Sequence, residues 1–157
     1  MVGEQVDAVR REILCLPRDT TAIAAEVVKM RKRMREHLLP VEDPERFHLK
    51  QGLGGIVDIE FLVQYWVLSA GAAHPDLATW SDNVRILEVL GQEGLLPLER
   101  AEALTQAYLD YRGAAHQLAL QQQPGEVAGD YFLAERALAT ESWNAVFDGI
   151  EPAAEDT

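Results

Sequence analysis

The chain has almost nothing to staple itself with: a single cysteine, Cys15, in 157 residues. That excludes an internal disulfide and any metal site built from several cysteines. Within the apolar run 13–16 the thiol reads as a small buried hydrophobe rather than a nucleophile. Positive charge is also scarce, 14 Lys+Arg against 26 Asp+Glu for a formal net charge of −12. A phosphate-backbone binder carries the opposite balance, so no nucleic-acid partner is expected. No long uncharged hydrophobic run exists. The most apolar stretch, residues 56–73, contains Asp58, Glu60 and Gln64, which fits a buried helix and not a membrane span. The opening Met1-Val-Gly-Glu-Gln5 has neither the basic nor the apolar segment of a signal peptide, and the expected location is cytoplasmic.

What is present is ordinary globular material with an uneven charge. An apolar fraction of 48% excludes wholesale disorder. Residues 1–50 hold ten basic and nine acidic residues, whereas 51–157 hold four basic and seventeen acidic. Any anionic partner should therefore meet the first third. Periodicity and stop signals predict a helix over 5–16, closed by Pro17. A second starts from a cap at Asp19, Thr20 or Thr21 and runs to Pro40, with Ile23, Val27, Met30, Met34 and Leu38 on its core stripe. A Pro- and Gly-rich connection over 40–55 leads to a central, buried helix over 57–70 that stops at Gly71. After a loop through Trp80, Ser81 or Asp82 caps a short helix to Leu90. The longest helix opens at Pro97, carries Leu98, Ala101, Leu104, Tyr108, Tyr111, Ala115 and Leu118, and ends by Pro124-Gly125, with Gln121–Gln123 as a frayed end. Asp130 caps the last, anchored by Phe132, Leu133, Leu138, Trp143 and Phe147. The expectation is an all-α bundle of about five to six helices with no sheet, one domain over 1–150 and a disordered acidic tail over 151–157.

Three features invite chemistry. In Lys50-Gln-Gly-Leu-Gly-Gly-Ile-Val-Asp-Ile-Glu-Phe61, Gly52, Gly54 and Gly55 precede a helix directly, as in loops whose backbone N–H groups cradle phosphate. Lys50, one of three lysines, stands beside them. No Gly-Lys-Ser/Thr closes a Walker loop and no strand opens a dinucleotide fingerprint. The turn is thus either a helix start that needs glycine geometry or a ligand-facing loop. Asp58 and Glu60 would chelate one metal from a strand, but on a helix they lie about 200° apart. No metal site is expected there. Glu60, inside an apolar helix, requires either a buried partner such as an Arg of the preceding helix or Arg85, or an open cleft. Lys29, Arg31, Lys32, Arg33 and Arg35 form the only basic concentration, fanned over the exposed sides of their helix. They read as a solvated face or as a patch attracting ATP or an acidic protein. His37, His48, His74 and His116 show no ligand spacing, and Ser69, Ser81 and Ser142 lack a nucleophile elbow.

The text of the glycine segment, with Leu16-Pro-Arg-Asp19, Glu26-Val-Val-Lys-Met-Arg31, Trp80-Ser-Asp-Asn-Val-Arg-Ile-Leu-Glu88, Ala107-Tyr-Leu-Asp-Tyr-Arg112 and His116-Gln-Leu-Ala-Leu-Gln121 in the same order, resembles the helical region of the bifunctional glutamine synthetase adenylyltransferase/adenylyl-removing enzyme family. That resemblance covers about residues 6–147. It implies a bundle paired with a catalytic nucleotidyltransferase half, in which a Gly-Ser turn and an Asp-x-Asp strand hold Mg²⁺ and ATP. Nothing in the chain matches those motifs, so no catalytic residue is carried over and the bundle alone is expected to be inactive and to bind no cofactor. The removing unit favours Arg-Glu-Ile-Glu-Phe and the adenylylating unit Asp-Ile-Glu-Phe. Asp58-Ile-Glu-Phe61 therefore resembles the latter. The implied function is an accessory domain of an enzyme transferring AMP from ATP to a tyrosine of glutamine synthetase in nitrogen regulation. Lys50, Gly52, Gly54, Gly55, Asp58 and Glu60 would face nucleotide or target. The alternative is a non-catalytic module docking glutamine synthetase or the PII signalling protein. The implied partners are those two proteins and the enzyme's own catalytic domain, with no membrane.

Overall fold

The computed structural model describes residues 19–39, 41, 43–79 and 82–154. The helix expected over 5–16 with Cys15, the residues Trp80 and Ser81, and positions 155–157 lie outside them. Helix α1, Thr20–Leu38, starts at Asp19, whose carboxylate accepts the N–H groups of Thr21 and Ala22 at 3.0 and 3.3 Å. Those are two of the donors a helix start leaves unpaired. Strand β1, Arg46–His48, and a glycine turn then feed α2, Ile56–Ala70. A 3-10 turn, Pro75–Ala78, precedes α3, Asn83–Gln92, capped by Asp82 through the Val84 N–H at 2.9 Å. Pro97 precedes α4, Leu98–Leu120. Strand β2, Glu126–Ala128, and α5, Leu133–Phe147, complete the described chain.

The architecture is a helical bundle. Helix α2 is apolar nearly all round and touches each of the other four helices. Its Ile59, Leu62 and Val63 are buried with Leu87 and Leu90 of α3 and Leu104 and Tyr111 of α4. Burying such side chains contributes roughly 1.5–3 kcal/mol each.

Several expectations need correction. A sheet does exist: β1 pairs antiparallel with β2, Phe47 opposite Val127. Each strand has three residues, too short for alternation to be read, and the partners lie far apart in sequence. The core stripe of α1 is rotated from the expected one. Met30 and Leu38 are 54% and 58% exposed, while Ala24, Val27 and, unexpectedly, Lys29 and Arg31 are buried. Leu98 and Leu133 are likewise exposed. The glutamines after α4 are not frayed. Gln122 adopts φ 56°, its N–H bonds the Ala119 carbonyl and that of Gln123 bonds the Leu118 carbonyl at 2.8 Å, a left-handed helix stop ahead of Pro124. Asp130 does not cap α5. That position falls to Phe132 at φ 60°, its ring held edge-on against Tyr111 at 5.3 Å. Beyond α5 the Ala153 N–H donates to the Ala25 carbonyl and Lys29 Nζ to the Ala154 carbonyl, both at 3.0 Å.

Candidate functional site

The glycine turn spends its donors on itself. The Gly52 N–H donates to the His48 carbonyl at 2.8 Å, that of Gly54 to Asp58 Oδ2 at 2.8 Å and that of Gly55 to the Gly52 carbonyl at 3.0 Å. The next two N–H groups, of Ile56 and Val57, go back to the carbonyls of Leu49 and Lys50. An anion would find none of these amides unengaged. Glycine is needed for a different reason. Gly54 has φ +78°, and a Cβ there would lie 2.5 Å from the Arg136 carbonyl oxygen, because α5 rests directly on the turn.

On its inner side the turn is tied to α1 through Asp58, which sits in the first turn of α2 and is 4% exposed. Its Oδ1 accepts Arg31 Nε at 2.5 Å and Arg35 Nη2 at 3.2 Å, and its Oδ2 accepts the Gly54 N–H. Arg31, 1% exposed, directs Nη1 to Gln51 Oε1 at 2.8 Å and Nη2 to the Gln51 carbonyl at 2.7 Å. A buried guanidinium is tolerated only with such pairing, here one hydrogen bond from each of its three nitrogens. The basic surface is therefore smaller than expected. Arg31 and Lys29 are internal, Arg35 is half-buried against Asp58, and Lys32 and Arg33 are exposed. Nor does Glu60 hold the buried ion pair. It is half-buried and without an ion-pair partner among the described residues, and Arg85 pairs with Glu88 at 3.2 Å. A purely apolar stripe could not reveal Arg31, since its compensation comes from residues more than five helical turns further along the chain.

On the outer side Lys50 is exposed and lines a depression of about 420 Å³ with His48 of β1 and His116, Gln123 and Gly125 from the end of α4 and the residues after it. His48 is oriented by the Gln51 N–H, which donates to its Nδ1 at 3.0 Å. His116 was not legible as a companion of Lys50, because only the β1–β2 pairing and the long α4 bring them together. Nearby, the fully buried Tyr111 packs on Phe47 at 5.8 Å, and its hydroxyl has no hydrogen-bond partner. Burial pushes that hydroxyl well above the usual tyrosine range; Glu135 adds to the shift and Arg136 opposes it.

Among the described residues no three His, Cys, Asp or Glu side chains converge on one point. Asp58, the most enclosed acid, is already saturated by Arg31, Arg35 and Gly54. These residues do not fit a Mg²⁺ site. No described helix is long and apolar enough to cross a membrane.

The family model for GlnD PII-uridylyltransferase matches residues 23–126, about two thirds of the chain. The chain belongs to this family. The match runs from the fourth residue of α1 to the first residue of β2, so it includes Arg31, the glycine turn, Asp58 and both sides of the Lys50 depression, and leaves α5 outside. The protein is thus a helical domain of a nucleotidyltransferase-related family. The GlnD family and the resemblance noted in the sequence agree on that class and differ over the nucleotide and its target.

Proposed function

We propose that the chain is the helical accessory domain of an enzyme that transfers AMP from ATP to a tyrosine of glutamine synthetase, working beside a catalytic half that supplies ATP and Mg²⁺ binding. The observation that carries this reading is the role of Asp58. Asp-Ile-Glu-Phe, rather than Arg-Glu-Ile-Glu-Phe, is the text that resembles the adenylylating unit. Here that aspartate is the acceptor for Arg31 and Arg35. Aligned on Ile59-Glu60-Phe61, the other text would put an arginine at Val57 and a glutamate, one methylene longer, at Asp58, whereas the buried node with Arg31, Arg35 and the Gly54 N–H is built around the shorter carboxylate.

In the proposed reaction the tyrosine oxygen bonds to the α-phosphorus of ATP as the bond to pyrophosphate breaks, and the hydroxyl proton passes to a base. This chain supplies none of those groups. Its part is to close one wall of the cleft and present Lys50 towards nucleotide or target, with Gly52, Gly54, Gly55 and Asp58 shaping the turn that carries it and Glu60 on the adjoining face of α2.

The test is made on the intact enzyme. AMP transfer from ATP to glutamine synthetase and UMP transfer from UTP to PII are measured on one preparation. AMP transfer supports the reading. UMP transfer alone replaces it with the activity named by the family model, which is the specific reason to keep that second reading. Lys50→Ala should cut turnover by about tenfold, as expected for loss of a charged hydrogen bond. Unchanged turnover removes Lys50 from the site. Micromolar binding of either protein by the bundle alone would favour the docking module instead.

A further inference from the structure

We infer that the depression between β1 and the end of α4 is a binding site for the phosphoryl oxygens of a small polyphosphate, held by Lys50, His48 and His116. The inference deepens the reading of Lys50 given above and rests on it for the outward role of that residue.

One lysine ammonium and two imidazoles line one depression, and no carboxylate lines it. This occurs in a protein of net charge −12 with 26 acidic residues. None of the three has an acidic partner among the described residues, whereas the buried Arg31 is paired with Asp58. Uncompensated charge of one sign in a concave surface focuses the field on that surface and attracts the opposite sign.

The donor chemistry favours phosphate over carboxylate. No arginine lines the depression, so the planar fork that matches a carboxylate is missing. Lysine ammonium and imidazole N–H groups are single-point donors that suit several oxygens presented at different angles. The ring of His48 is already set. Its Nδ1 accepts the Gln51 N–H at 3.0 Å, which leaves the Nε2 side to donate. Lys50 is fixed at its root, because its carbonyl accepts the Val57 N–H and the neighbouring Leu49 N–H donates to the Gly125 carbonyl at 3.0 Å. About 420 Å³ exceeds what one phosphate group fills and lies in the range of small-ligand sites.

Inorganic pyrophosphate is titrated into the full chain while the imidazole C–H and lysine Nζ signals are followed by NMR, with ATP and poly-glutamate as separate arms. Shifts confined to His48, His116 and Lys50 are expected with pyrophosphate. Lys50→Ala should weaken binding about tenfold and His116→Gln about threefold, with unchanged Tm. Arg85→Ala removes the same charge at a distant site and should leave binding as it was. A tighter response to ATP than to pyrophosphate identifies a nucleotide as the source of the phosphoryl group, and equal responses identify a plain polyphosphate. Absence of localised shifts with both, an equal loss in Arg85→Ala, or a tighter response to poly-glutamate overturns the inference. The intact-enzyme assay separates the two readings. Pyrophosphate binding without AMP transfer retains the groove and removes the adenylylation reading, and AMP transfer without pyrophosphate binding does the reverse.

Discussion

The two sides of the glycine turn hold basic side chains under opposite conditions. Inside, Arg31 is buried, and its donors go to Asp58 and Gln51. Outside, Lys50, His48 and His116 face a depression with no acid in its wall. A buried cation with every nitrogen engaged builds the fold, because removing a partner leaves an uncompensated charge in a poorly solvated place. Exposed polar side chains without an acidic partner add little to folding and leave their outward donors open to a ligand. The same short segment, Lys50 to Asp58, therefore contributes one end to architecture and, in the proposed reading, the other to recognition.

Substitutions can break that contrast at different strengths. Asp58→Ala should be the most damaging, since it leaves the buried Arg31 charge without its carboxylate, removes one partner of Arg35 and releases the Gly54 N–H. The expected cost is about 3–5 kcal/mol, a fall in Tm of roughly 10 °C in thermal unfolding followed by circular dichroism. An unchanged Tm would mean the node is not structural. Gly54→Ala comes next. It places a side chain at φ +78° and against the Arg136 carbonyl, with an expected loss of about 2–3 kcal/mol read by urea unfolding. Lys50→Ala should show the contrast from the other side, losing turnover in the intact enzyme while its Tm moves by less than about 1 °C, as for other exposed positions.

The smallest effect concerns Tyr111. Its folded-state hydroxyl titrates above the ordinary tyrosine range because it is buried. The folded state therefore keeps this proton after the unfolded chain has begun to lose it near pH 10. Stability from this group is fully present below that pH and falls as pH rises above it. Tyr111→Phe removes a buried hydroxyl that has no hydrogen-bond partner. It should be nearly neutral at pH 7 and should flatten the loss of stability above about pH 10 relative to the parent chain. Equal alkaline profiles would place the titration elsewhere.

Much of the bundle was legible because its signals are local. Asp19 and Asp82 cap helices where a side-chain oxygen precedes an apolar period, Gly71 ends α2, and Pro97 stands immediately before α4. What escaped were pairings at long range. Met30 has the chemistry of a core residue and Arg31 that of a surface residue, yet the helix phase chosen by Asp58 and Gln51 reverses them. The strand ribbon between Phe47 and Val127 and the meeting of Lys50 with His116 likewise depend on partners more than sixty residues away. Of the candidate site, Lys50 was identified from its rarity and its neighbours. The glycines were noticed for amides that turn out to be engaged within the turn itself.

By itself the sequence determined the helical class, most helix starts and stops, and the text by which the chain can be placed among nucleotidyltransferase-related proteins. Those follow from caps, periods and rare residues within a few positions of one another, where steric and hydrogen-bonding rules act directly on the backbone. Tertiary structure alone decided which cations are buried, what packs against Gly54, and which histidines stand beside Lys50. Each is a question of what lies opposite in space. The free energy of a charge depends far more on its partner and its exposure to water than on its neighbours along the chain.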